Sequence, residues 1–79
     1  MNKEPAGERP APEARYANYC EVGHNAFEFV LDFGQAYGNE RVSCHSRMVM
    51  SPAYAKSLSE TLADAIHAYE REFGRIEDR

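Results

Sequence analysis

Cysteine is scarce in this 79-residue chain, Cys20 and Cys44 being the whole complement. Two are too few for the disulfide framework that staples small secreted domains. Nor does the chain open on a charged, then apolar, then small-residue segment of the kind that makes a secretory signal. The compartment expected from these two absences is a reducing cytoplasm. Runs of bulky apolar residues are short, Phe29 to Leu31 being representative, against the roughly 20 residues a helix needs to cross a bilayer. Clustered base is missing too. The formal net charge is −4, and it belongs to the body of the chain. Lys3, Arg9 and Arg15 balance Glu4, Glu8 and Glu13, whereas from Tyr16 onward Arg41, Arg47, Lys56, Arg71, Arg75 and Arg79 face an excess of carboxylates. Displacing counterions from a phosphate backbone requires concentrated Lys and Arg, so nucleic acid is disfavoured as a partner. Gly34 and Gly38 stand alone and form no phosphate-cradling loop.

A chain of this length supplies one domain at most and buries a smaller share of its surface than a longer one, so association with other chains is the usual remedy. Residues 1–15 hold Pro5, Pro10 and Pro12 with Gly7 and alternating charge, and no bulky apolar side chain after Met1. Such a segment cannot bury enough surface to offset its ordering entropy. It is read as a flexible arm, and residues 16–79 as the single domain.

Within that domain, Ala17 to His24 alternates loosely, with Cys20 and Val22 opposed to Tyr19 and Glu21, and Gly23, His24 and Asn25 supply a turn. From Phe27 to Phe33 the alternation is sharp: Phe27, Phe29, Leu31 and Phe33 share one side, and Glu28, Val30 and Asp32 the other. Gly34 to Asn39 reads as a loop. A third strand is expected over Arg41 to Met50, with Val42, Cys44, Met48 and Met50 on the buried face and Ser43, His45, Arg47 and Val49 on the other. Ser51 and Pro52 then make a helix start, because a serine hydroxyl caps free amides and proline at the first helical position forgoes no needed hydrogen bond. Apolar residues recur at Ala55, Leu58, Leu62, Ala65, Ile66, Tyr69 and Phe73 in steps of three and four, a continuous helical stripe. Gly74 is placed to end the helix in a left-handed conformation. The expected fold is α+β, a three-stranded antiparallel sheet followed by one long C-terminal amphipathic helix.

The run Tyr16-Ala17-Asn18-Tyr19, then Phe27-Glu28-Phe29, Leu31-Asp32-Phe33-Gly34, Arg47-Met48-Val49-Met50-Ser51-Pro52 and Tyr69-Glu70 with Phe73-Gly74, resembles a family of small bacterial and archaeal proteins known only as a domain of unknown function. The resemblance covers nearly everything after the arm. It implies short strands followed by a long helix, and it transfers no activity, cofactor or catalytic residue. The loop Ala36 to Glu40 is shorter than the connection usual in that family. The order of strands and long helix is also similar to the SecB-like export chaperones, which oligomerise and present apolar grooves; that similarity is architectural and rests on no motif.

Chemistry-bearing residues are few. Cys20, His24, Cys44 and His45 are suitable zinc donors, but Cys44 and His45 are neighbours on a strand and point apart, and no Cys-x-x-Cys pair is present. Small buried hydrophobes are the better reading of both cysteines. The same geometry separates Cys44 from His45 as a nucleophile and base with Glu40 nearby. No catalytic residue, metal ligand or cofactor is therefore assigned, and no enzymatic activity is expected. Tyr16, Tyr19, Tyr37 and Tyr54 could stack bases or anchor a protein interface; acid outnumbers base around Tyr19, Val30 and Val49 on the outward sheet face, which favours a protein. The sequence thus predicts a small non-enzymatic protein-interaction domain, an adaptor, assembly factor or chaperone-like module. It is expected to associate with itself as a dimer or larger assembly, with another protein as the other possible partner. The interface candidates are Tyr19, Val30, Val49, Leu58, Leu62, Ile66, Tyr69 and Phe73. Self-association is expected through a strand edge or through crossing helices where Ala55, Ala63 and Ala65 allow close approach. The alternative is a nucleic-acid-associated protein using the sheet tyrosines.

Overall fold

A computed structural model describes residues 10–78. Three antiparallel strands in the order β1-β2-β3 are followed by one helix: β1 Tyr19–His24, β2 Phe29–Ala36, β3 Val42–Met50 and α1 Pro52–Phe73. The β-β-β-α architecture is the α+β arrangement anticipated from the pattern. Residues 10–18 carry no regular secondary structure and are exposed; residues 1–9, the greater part of the expected arm, and Arg79 lie outside the described residues.

Local chemistry explains each boundary. Asn25 turns the chain between β1 and β2, its Oδ1 accepting from the amides of Phe27 at 2.7 Å and Glu28 at 3.0 Å, an Asx turn. Phe27 is thereby lifted out of the strand and stands 84% exposed, which corrects its expected place on the buried face. Between β2 and β3, the Glu40 amide donates to the Tyr37 carbonyl at 3.1 Å and the Tyr37 amide to the Arg41 carbonyl at 2.7 Å, and Glu40 takes a positive φ of 73°. The hairpin loop is thus shorter than expected. Gly34 and Gln35 belong to β2, because Gly34 is where the two backbones approach most closely. A Cβ at that position would lie 2.2 Å from the Ser43 carbonyl oxygen.

The same point carries a register shift. Phe33 pairs with Ser46 and Gly34 with Cys44, so His45 is the extra residue of a bulge. Upstream, Cys20 opposes Phe33, Val22 opposes Leu31 and His24 opposes Phe29, while Phe29 and Leu31 oppose Met50 and Met48. One sheet face therefore carries Val22, Phe29, Leu31, Phe33, Met48 and Met50. Beyond the bulge the sides exchange. Cys44 and Val42 fall on the opposite face with Gly34 and Ala36, contrary to the strict alternation expected of β3. No periodic pattern along β3 alone could reveal this, since the extra residue is specified by the close approach of Gly34.

Ser51 caps α1, its Oγ accepting from the Tyr54 amide at 3.1 Å, with Pro52 at the first turn. Gly74 closes the helix by donating its amide to the Glu70 carbonyl at 2.9 Å. Its φ of 98° and ψ of 173° are positive-φ backbone, extended in ψ instead of left-handed helical.

What the fold lacks is a core. Among the described residues no hydrophobic side chain is buried. The helix meets the sheet through its first three turns only. There Ala55, Leu58, Ser59 and Leu62 share an open hollow of about 270 Å³ with Val22, Phe29, Leu31 and Met50. The Cα radius of gyration is 15.6 Å, where a compact chain of this length has about 12 Å.

Candidate functional site

The surface most in need of an explanation is the apolar one. Along α1, Ala55 and Leu58 are half-buried against the sheet, and the stripe then runs into solvent through Leu62, Ile66, Tyr69 and Phe73. Leu62 is 57% exposed and Phe73 66%. The exposure has a geometric cause. Helical periodicity places these side chains on one face but leaves open the angle at which the helix departs from Met50. Tyr69 and Phe73, one turn apart, stack on each other with centroids 5.0 Å apart, leaving their outer surfaces free.

On the sheet side, Val22 and Met48 are exposed on the face that α1 only partly roofs. Phe29 is held by a stacked cross-strand contact with His24, centroids 5.3 Å apart. Residues Glu13, Arg15 and Ala17 border the far end of this face beside Phe33, His45 and Met48. His45 bonds there through Nε2 to the Tyr16 carbonyl at 2.9 Å and through Nδ1 to Ser46 Oγ at 2.7 Å. A carbonyl only accepts, so Nε2 carries a proton, and in the neutral ring Nδ1 accepts from the Ser46 hydroxyl. His45 is thus a clip between β3 and the chain entering β1.

The opposite sheet face is polar and internally compensated. Arg47 donates from Nε to Asp32 Oδ1 at 2.7 Å and from Nη2 to Oδ2 at 2.9 Å, a bidentate pair. Hydrogen bonding to Arg47 holds the Asp32 carboxyl below its ordinary range, and the same contact raises Arg47. The Tyr19 hydroxyl donates to the Glu21 carboxylate, which holds the phenol above its usual value. Val30 is half-buried and Val49 exposed among these groups. The eight residues anticipated as interface candidates therefore divide. Leu58, Leu62, Ile66, Tyr69 and Phe73 form one helical stripe, while Tyr19, Val30 and Val49 sit on the other side of the sheet among paired charges.

Cys20 and Cys44 are both unpaired and exposed, one on each face of the sheet, so neither is the buried hydrophobe expected of it. Among the described residues no three His, Cys, Asp or Glu side chains group as metal ligands would. No described helix is long and apolar enough to cross a membrane. Sequence reasoning missed Phe27, Val22 and Met48 as exposed apolar residues. For Phe27 the signal was Asn25, whose side chain competes for the amides that would otherwise extend β2.

Residues 4–78 match a family model described as protein of unknown function, DUF3467. The chain belongs to this family. Neither a curated protein nor a solved structure matches it. The DUF3467 match begins inside the proline-rich N-terminal segment and runs past the end of α1, so its span includes both the strands and the exposed helical stripe.

Proposed function

We propose that this chain is a non-enzymatic protein-interaction domain whose apolar face is covered by another polypeptide, acting as an adaptor, assembly or chaperone-like module. One observation carries the reading: no hydrophobic side chain is buried among the described residues. Ordering a residue costs about 1–2 kcal/mol of backbone entropy, and what chiefly opposes that cost is the burial of apolar surface, at about 25 cal/mol per Å². A sheet of three strands with a half-detached helix falls short of that burial by itself. The missing contact comes from outside the chain. The polar face supports no second reading in terms of nucleic acid, since Arg47 is committed to Asp32 and Tyr19 to Glu21. Two free cysteines suit a reducing cytoplasmic setting.

The test pairs an apolar fluorescent dye with the concentration dependence of thermal unfolding. The purified chain either binds the dye brightly, as an uncovered apolar face does, or melts at a temperature that rises with protein concentration, as an assembled one does. A chain that is folded, monomeric and dye-silent at every concentration overturns the reading.

A further inference from the structure

We infer that the covering polypeptide is a second copy of this chain, paired along the free edge of β1 about a twofold axis, with each helix reaching over the partner's sheet. The inference rests on the interaction-domain reading above and assigns its occupant. Four observations meet in it.

The first is exposed apolar surface. Val22, Met48, Leu62, Ile66, Tyr69 and Phe73 stand 39–66% exposed along the helical stripe and the sheet face it partly roofs, a contiguous apolar surface of the kind that marks a protein interface.

The second is self-complementarity. Each chain carries a surplus half-helix without a sheet, Ile66 to Phe73, and a surplus of apolar sheet without a helix, including Val22 and Met48. A twofold axis lets each surplus cover the other.

The third is length. The hollow beneath α1 is bordered by Met50 on β3, Phe29 and Leu31 on β2 and Val22 on β1, while Met48 and Phe33, farther along the strands, take no part in it. The helix therefore crosses the strands and heads from β3 toward the β1 edge. Its 22 residues span about 33 Å, twice the roughly 15 Å width of three strands and close to the roughly 29 Å of six.

The fourth is the state of the two edges. β3 is blunted by the bulge at His45, a device that discourages further pairing. β1 has no bulge, proline or lysine. The Asn25 amide donates inward to Glu28, so by the alternation of an antiparallel ladder the amides of Cys20, Val22 and His24 point outward, free to extend the sheet.

The two native cysteines give the test. Nitroxide spin labels are placed on Cys20 alone, in Cys44→Ser, and on Cys44 alone, in Cys20→Ser, with sedimentation velocity and far-UV circular dichroism on the same samples. Pairing along β1 brings the two Cys20 positions within about 15 Å and leaves the two Cys44 positions about 30 Å apart, five strand spacings plus their offset along the strands. The reverse order of distances assigns the pairing to β3 and overturns the proposal. For the helix, Ile66→Ser should weaken the dimer at least tenfold and Glu60→Ala leave it unchanged; equal small effects overturn the helix exchange. A folded monomer without intermolecular coupling that binds the apolar dye overturns the second-copy assignment and leaves the interaction-domain reading standing, whereas a dye-silent folded monomer overturns both.

Discussion

Gly34 is the one buried residue among those described, and it is packed against backbone. A methyl group there would lie 2.2 Å from the Ser43 carbonyl oxygen and 2.7 Å from Cys44 Cα. Neither atom can swing aside without separating β2 from β3. Gly34→Ala should therefore lower unfolding free energy by about 1–3 kcal/mol or more, read from a urea titration; an unchanged midpoint would show that the strands part freely. Glu40 presents the opposite case. Its φ of 73° costs an L-residue about 1–2 kcal/mol, of which glycine gives back about 0.4–1 through unfolded-chain entropy. Glu40→Gly should raise stability by about 0.5 kcal/mol on the same assay. At Asp32, the Arg47 guanidinium depresses the folded-state carboxyl relative to the unfolded chain. Such a group contributes stability above its unfolded pKa, and the contribution disappears as pH falls through the lower folded value. Arg47→Ala should return the Asp32 titration, followed by carboxyl NMR shifts, toward the ordinary carboxylate range. The pair's contribution should likewise vanish on acidification and be insensitive to pH near neutrality.

Among the elements, α1 is the best defined from within. Ser51 caps its first turn, Gly74 and Glu70 close its last, and Glu70 Oε2 also accepts from the Ile76 amide at 2.9 Å. Ser51→Ala removes one side-chain acceptor from otherwise unpaired amides and should cost about 1 kcal/mol, measured by thermal unfolding at fixed protein concentration. No loss would mean that the Tyr54 amide is satisfied by water. The sheet is held differently, its register depending on Asn25 and on the bulge at His45. Both were invisible to simple alternation. The Phe27-Phe29-Leu31-Phe33 pattern is genuine in sequence, yet Asn25 takes the Phe27 amide and β2 begins two residues late. The polar Gly34-Gln35 pair reads as a turn only until the β3 backbone lies against it.

For the whole molecule, stability and association are one quantity if the apolar stripe is covered by another chain. Leu62→Ala distinguishes the cases. In a lone chain Leu62 is 57% exposed, so its loss should cost under about 0.5 kcal/mol; covered by a partner, it should cost about 2–5 kcal/mol and steepen the concentration dependence of melting. The sequence by itself determined what neighbours along the chain control: the β-β-β-α order, the Ser51-Pro52 start and Gly74 end of α1, the sharing of one helical face by Leu58, Leu62, Ile66 and Tyr69, and the family resemblance. Capping, turn preference and periodicity all act over a few residues, so they are legible in one dimension. Only the tertiary structure decided that His45 is the extra residue of a bulge between Cys44 and Ser46, that Gly34 belongs to a strand, and that the stripe leaves the sheet after Leu62. Those outcomes depend on how closely two backbones approach and on the angle at which a helix departs from its strand, and neither is written in the spacing of residues.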